Sequence, residues 1–202
     1  AGIKHVVIPM IDPDERTNGN GVRILRNSGI KVSVGSYKNE AFDINHGFFT
    51  RIKNKRPLVS LKIASSLDGK IATKSGKSKW ITSDLSRLHG HSLRANHDVI
   101  LVGINTILKD DSMLNCRIKG MEKFSPVKVI ADSNLRIPLS SNILRNNNKI
   151  PTIIWTKKNL NSNKRNKLIK IGVTIVELNE RKGKLNLLEG LNNLAQRGFN
   201  RV

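Results

Sequence analysis

The sequence predicts an α/β protein built on largely parallel sheet and divided into two consecutive units. Short β-branched runs alternate with stretches of helical period, so each helix returns the chain to the start of the next strand and the strands come out parallel. A polar, basic, proline-terminated segment, Lys53-Asn54-Lys55-Arg56-Pro57, interrupts this alternation and marks a junction between residues 1–57 and 58–202. Of the 202 residues, 38% are hydrophobic, enough for a buried core.

In the first unit, His5 to Met10 is a β-branched run that ends at Asp12-Pro13 and the turn cluster Asn18-Gly19-Asn20-Gly21. Val22 to Asn27 alternate apolar and basic residues at helical spacing, Gly29 closes that helix, and Ile30 to Val34 form the second strand of a β-α-β unit. Glu40 to Ile52 make an amphipathic helix with Phe42, Phe48 and Phe49 as its apolar members. In the second unit, strands are expected at residues 58–64, 99–102, 127–131, 152–156 and 173–176. Helices are expected at residues 83–95, 103–109, 164–171 and 185–196, the first of them capped by Thr82 or Ser83. The tract Asn146 to Lys149 reads as a solvated loop.

Composition narrows the function classes. Cys116 stands alone, so neither an intramolecular disulfide nor a Cys-x-x-Cys zinc clamp can form, and a reducing, cytoplasmic compartment is expected. No apolar run approaches the roughly 20 residues needed to cross a bilayer, and no membrane partner is expected. The net charge of +21 invites nucleic acid as a partner. Lys and Arg are nevertheless scattered through every segment, and five Phe, two Trp and one Tyr are too dispersed for a base-stacking platform. No specific nucleic-acid partner is expected.

The chemistry-bearing residues cluster between Leu58 and Pro138. Ser65 to Lys70 follows a strand directly, and Asp68-Gly69 is either a hairpin turn or a tight loop beneath a ligand. Ser75-Gly76-Lys77-Ser78-Lys79-Trp80 brings hydroxyls, a glycine and two ammonium groups to a helix start. That combination suits a phosphate oxygen, and it equally suits a surface loop; the P-loop spacing is absent. Trp80 is either a core anchor, which burial statistics favour, or the aromatic wall of a cofactor pocket. Arg94 reads by default as a solvated charge. His89, His91 and His97 do not make a metal set, because positions two apart on a helix face different ways and no cysteine or acid completes them. Thr106, Asp110, Asp111 and Arg117 surround a short helix, and Asp132-Ser133 ends a strand, where open α/β sheets keep their ligands.

As an ordered set these blocks resemble one family, the bifunctional riboflavin-biosynthesis deaminase/reductases. The matching residues are Lys62-x-Ala64-x-Ser66-Leu67-Asp68-Gly69-Lys70-Ile71-Ala72-Thr73, Ser78 to Ser83, Leu93-Arg94-Ala95, Asp98 to Gly103, Thr106-Ile107-Leu108-x-Asp110-Asp111 and Asp132-Ser133-x-Leu135-Arg136-Ile137-Pro138. The front of the chain, from Ala1 to Phe49, is similar to the C-terminal part of the family's zinc deaminase domain. The resemblance implies a cytidine-deaminase-like remnant over residues 1–57, without the zinc motifs, followed over 58–202 by an incomplete dihydrofolate-reductase-like domain. Arg197 to Val202 read as a helix end, a glycine cap and the opening of a strand, just ahead of the family's glycine-rich cofactor loop, so a fragment is expected. Such a fragment is expected to bind NADPH poorly, to turn over nothing measurable and to aggregate.

The resemblance further implies NADPH-dependent reduction of 5-amino-6-(5-phosphoribosylamino)uracil to the ribitylamino compound, by hydride delivery to the ribosyl carbon that bears the amine. By position, Ala64, Trp80, Thr106, Asp110 and Ser133 are expected to contact the cofactor. Ser78, Arg94, Leu114 and Arg117 are expected to contact the phosphorylated substrate, with Lys62 near the reacting sugar; no catalytic proton donor is assigned. Zinc is expected only in a longer parent's deaminase portion, and that parent is expected to be a homo-oligomer. Two alternatives stay open: a pterin or folate reductase of the same fold, which would leave Arg94 and Arg117 unexplained, and a basic nucleic-acid module, motivated by charge alone.

Overall fold

The computed structural model describes residues 2–78, 80–145, 147–160 and 163–202. Ala1, Lys79 of the basic loop and Asn146 of the asparagine tract lie outside them. The first unit runs β1 (His5–Ile8), α1 (Asn20–Asn27), β2 (Lys31–Val34) and α2 (Lys38–Asn54), and β1 and β2 pair in parallel as expected. The second contains α3 (Asp84–Ala95), β3 (Val99–Gly103), α4 (Ile104–Asp110), β4 (Val127–Ala131), β5 (Thr152–Lys157), α5 (Asn163–Lys170) and β6 (Thr174–Leu178). A hairpin of β7 (Glu180–Arg181) and β8 (Lys184–Leu185) then leads into α6 (Leu187–Gln196). Strands β3, β4, β5 and β6 form one parallel sheet in that order.

Local chemistry sets the helix ends. Ser83 caps α3, its hydroxyl accepting the Ser86 amide at 3.3 Å. Three helices stop alike, with a positive-φ glycine followed by an amide reaching back five residues: Ile30 to the Leu25 carbonyl, Val173 to Leu168 and Phe199 to Leu194. Only glycine takes that left-handed position without strain.

The four-stranded sheet has an apolar layer on each face, because alternate residues of a strand point opposite ways. Ile130 and Ile154 pack with Ile104 and Ile107 of α4 and Leu168 of α5. Val129, Ile153 and Trp155 pack with Leu194 of α6, Leu178 and Val202. Helix α6 approaches closely because Gly190 lies against Trp155: a β-carbon there would stand 2.8 Å from two ring atoms. Gly190→Ala should therefore destabilise the chain by about 1–3 kcal/mol in urea unfolding, although alanine is the better helix former by about 1 kcal/mol.

The expected strand over residues 58–64 is corrected. Only Leu58 to Ser60 are paired, through the Leu58 amide to the Asn200 carbonyl, the Ser60 amide to Val202 and the Val202 amide back to Leu58, each at 2.8–2.9 Å. Residues 61–64 meet no partner strand among the described residues, and Leu61 and Ile63 are exposed. Asn147 is likewise not solvated: it is buried and donates to the Ile171 carbonyl at 3.3 Å. The two units touch where α2 crosses residues 200–201. Arg51 donates to Asn200 Oδ1 at 2.7 Å, Arg201 donates to the Ile44 carbonyl at 2.9 Å, and Gly47 leaves no room for a side chain beside the Asn200 carbonyl.

Candidate active site at the carboxyl edge of the sheet

Because the strands are parallel and Gly103, Ala131 and Trp155 lie in register, the chain leaves β3, β4 and β5 along one edge of the sheet. Thr106 sits in the first turn of α4, directly after β3. Ser133 follows β4, and its carbonyl accepts the Thr156 hydroxyl at 3.1 Å and the Lys157 amide at 3.3 Å, fixing this turn to β5. The turn is held from beneath by fully buried Asp132, whose Oδ2 accepts the Ile137 amide at 2.8 Å while Oδ1 has no partner among the described residues. Arg136 donates to Asn105 Oδ1 at 2.8 Å, joining the Ser133 turn to the start of α4. These links bring Thr106 and Ser133 to one place. Asp110, the last residue of α4, is exposed.

A second cluster forms between α3 and the loop after α4. Asp111 closes α4 at φ 41° and clamps Asn142, accepting its amide at 2.8 Å and its Nδ2 at 2.7 Å. Leu114, at φ 55°, sends its side chain into the core beside α4, so only its backbone is free to face a ligand. Cys116 is buried, its amide donating to the Ser125 hydroxyl at 3.0 Å. Anchored on both sides, the loop presents the Asn115 carbonyl to Arg94 Nη1 at 2.9 Å and the Arg117 amide to His91 Nδ1 at 3.3 Å.

Arg94 is therefore not the solvated charge its helical position suggests. Burial lowers its pKa, and the charge of Arg117 lowers it further, against a small opposing influence of Cys116. Among the described residues neither Arg94 nor Arg117 forms an ion pair with a carboxylate. Two buried oxygens of the same loop, Ser112 Oγ and Asn115 Oδ1, also lack partners. A half-buried guanidinium under the field of a second cation, exposed Arg117, with no carboxylate partner, is short of negative charge; a phosphate supplies it with forked acceptors.

The other candidates are spread along residues 62–80. Lys62 reaches over α3, its Cε 3.9 Å from where a Gly90 β-carbon would stand, one turn before Arg94 on the same side of the helix. Ala64 is half-buried and Ser78 exposed, outside both clusters of contacts. Trp80 is not the core anchor that burial statistics favour. It is 75% exposed at φ 64°, with the Arg87 guanidinium 4.4 Å from its ring centre. Arg87 is itself fixed by the Thr82 carbonyl at 2.6 Å and by Asp84, so the ring is held out toward solvent.

Among the described residues, no three of His, Cys, Asp and Glu are placed to hold a metal ion. His97 is engaged otherwise, its Nδ1 donating to the Leu93 carbonyl at 2.7 Å and its Nε2 lying 3.0 Å from the Ser60 hydroxyl. Among the described residues, no helix is long and apolar enough to cross a membrane. Sequence reasoning missed His91, Asn105 and Arg136. For His91 a signal existed, since it stands three residues before Arg94 on one helix face.

Residues 57–202 match the family model described as the RibD C-terminal domain. The riboflavin biosynthesis protein RibD of Aquifex aeolicus is 46% identical over 178 residues, covering 88% of this chain and 49% of the relative. That of Bacillus amyloliquefaciens is 36% identical over 199 residues, covering 98% of this chain and 53% of the relative. Among solved structures, Acinetobacter baumannii RibD aligns with a TM-score of 0.84 at 32% identity over 98% of this chain and 53% of its own. A deaminase/5-amino-6-(5-phosphoribosylamino)uracil reductase of Thermotoga maritima aligns with a TM-score of 0.80 at 34% identity over 100% of this chain and 53% of its own. The chain thus spans about half the length of the relatives it matches, and it belongs to the family of the RibD C-terminal domain.

Proposed function

We propose that residues 58–202 supply the substrate-phosphate end and one wall of the cofactor site of an NADPH-dependent reductase of riboflavin biosynthesis, acting on 5-amino-6-(5-phosphoribosylamino)uracil. The observation that carries this reading is half-buried Arg94, close enough to Arg117 for that charge to lower its pKa and without a carboxylate partner among the described residues, beside a loop whose buried oxygens lack partners there. Residues 1–57 are, on the same reading, the C-terminal end of a deaminase domain and its linker. Zinc belongs to the remainder of that domain, and the whole protein works in the cytoplasm as a homo-oligomer.

The residues present fit a dinucleotide at the other end. Thr106 and Ser133 offer hydroxyls at the strand termini, Trp80 offers an exposed ring, and Asp132 Oδ1 is a buried acceptor without a donor. NADPH, when bound, supplies a hydride for the ribosyl carbon bearing the amine. The chain's own work is positioning: Arg94 and Arg117 fix the sugar phosphate, Ser78 adds a hydroxyl to it, Lys62 lies toward the sugar, and Leu114 shapes the loop through its backbone.

Equilibrium binding to the full-length parent tests this division. Arg94→Ala and Arg117→Ala should each weaken the phosphorylated substrate by about 1.5–3 kcal/mol, the worth of a charge-assisted phosphate contact, and leave NADPH binding unchanged. Equal losses for both ligands would overturn it.

A further inference from the structure

We infer that His91 is a positioning residue of the phosphate end: its Nδ1 ties the Arg94 guanidinium to the backbone of Arg117 and sets the spacing at which the two cations meet one anion. This rests on the phosphate reading of Arg94 and Arg117 given above.

The Arg117 amide lies 3.3 Å from His91 Nδ1, and Arg94 Nη1 lies 3.4 Å from the same nitrogen. A backbone N–H and a guanidinium have only hydrogens to give, so Nδ1 must carry the lone pair and the ring proton must sit on Nε2. The main chain of His91 grips the same loop, its carbonyl accepting the Cys116 thiol at 3.5 Å. Together with the Arg94 bond to the Asn115 carbonyl, one turn of α3 holds three consecutive loop residues, 115, 116 and 117.

The charges around the ring keep it in this form. Burial lowers the pKa of His91, and the positive charges of Arg94 and Arg117 lower it further, against a smaller raising influence of the Asn115 backbone. A protonated ring would set a third donor against two donors and add a third cation. A neutral imidazole is thus the side chain that can stand between two guanidinium-bearing residues and bond both without competing for the anion. Asparagine has the same capacity, because its Oδ1 occupies the position of Nδ1.

The test is ribose 5-phosphate binding to the 202-residue chain by calorimetry. Arg94→Ala should lose binding, His91→Ala should weaken it about tenfold, and His91→Asn should restore it to within about threefold of the original. If Arg94→Ala binds as tightly as the unaltered chain, or the unaltered chain does not bind, the phosphate reading fails and this inference with it. If Arg94→Ala loses binding while His91→Ala keeps it, or His91→Asn is as weak as His91→Ala, His91 alone is wrongly assigned. Should His91→Ala fail to fold, long-range proton–nitrogen correlation on the unaltered chain decides. Nδ1 is expected as the unprotonated nitrogen of His91, and a proton on Nδ1 would overturn the assignment.

Discussion

Truncating Trp155 to alanine should cost the fold about 3–5 kcal/mol, the range for removing a large aromatic from a close-packed interior. Trp155 is 0% exposed and fills the layer between the sheet and α6, against Gly190. A domain of this size has a total stability of about 5–15 kcal/mol, so the variant should be partly unfolded at growth temperature. Among the described residues the indole Nε1 has no hydrogen-bond partner, so Trp155→Phe removes apolar bulk without orphaning an acceptor and should cost less. Urea unfolding followed by circular dichroism measures both. A Trp155→Ala loss below about 1 kcal/mol would show that α6 is not packed as described.

Raising the pH from about 8 toward 10.5 should stabilise the chain, and Lys128 is the cause. This side chain is 2% exposed in the middle of the sheet, and its Nζ donates to the Ile143 carbonyl at 2.6 Å. Burial pushes its pKa down to about 8 from the ordinary 10.5. Between those values the unfolded chain holds a proton that the folded chain has released, so stability climbs with pH, by on the order of 1–3 kcal/mol. Below the folded value both states are protonated and the full cost of burying the charge remains. Lys128→Met keeps the volume and removes the charge, so it should be neutral or stabilising at pH 7 and should abolish the climb. A climb that persists in Lys128→Met would assign it to another group.

Local signals were legible in the sequence where local chemistry decides the structure. The β-branched runs at Val127–Ala131 and Thr152–Lys157 form strands, Ser83 caps α3, and Gly29, Gly172 and Gly198 end their helices. Most of what escaped depends on partners far along the chain. Residues 61–64 carry a strand's alternation but meet no partner strand among the described residues, where the Leu58 pairing runs to residues 200–202. The β7–β8 hairpin turns at Lys182-Gly183, both at positive φ, without the Asn-Gly signature or flanking apolar alternation that marks such turns. Arg94 looks solvated on its own helix, and its burial comes from a loop 21 residues later. The family resemblance, carried by ordered blocks, reached further than periodicity did, because matched motifs carry long-range arrangement that composition does not.

On the reading proposed above, this chain holds two ligand ends, a phosphate end at Arg94 and Arg117 and a dinucleotide end at Trp80, Thr106 and Ser133. Titrating the isotope-labelled chain separately with ribose 5-phosphate and with NADP+, and following both sets of residues by nuclear magnetic resonance, tests it most directly. Ribose 5-phosphate should move the Arg94 side-chain and Arg117 backbone signals and leave the Trp80 indole in place, while NADP+ should move Trp80, Thr106 and Ser133. Both ligands shifting one common set, or ribose 5-phosphate leaving Arg94 and Arg117 unmoved, would contradict the account.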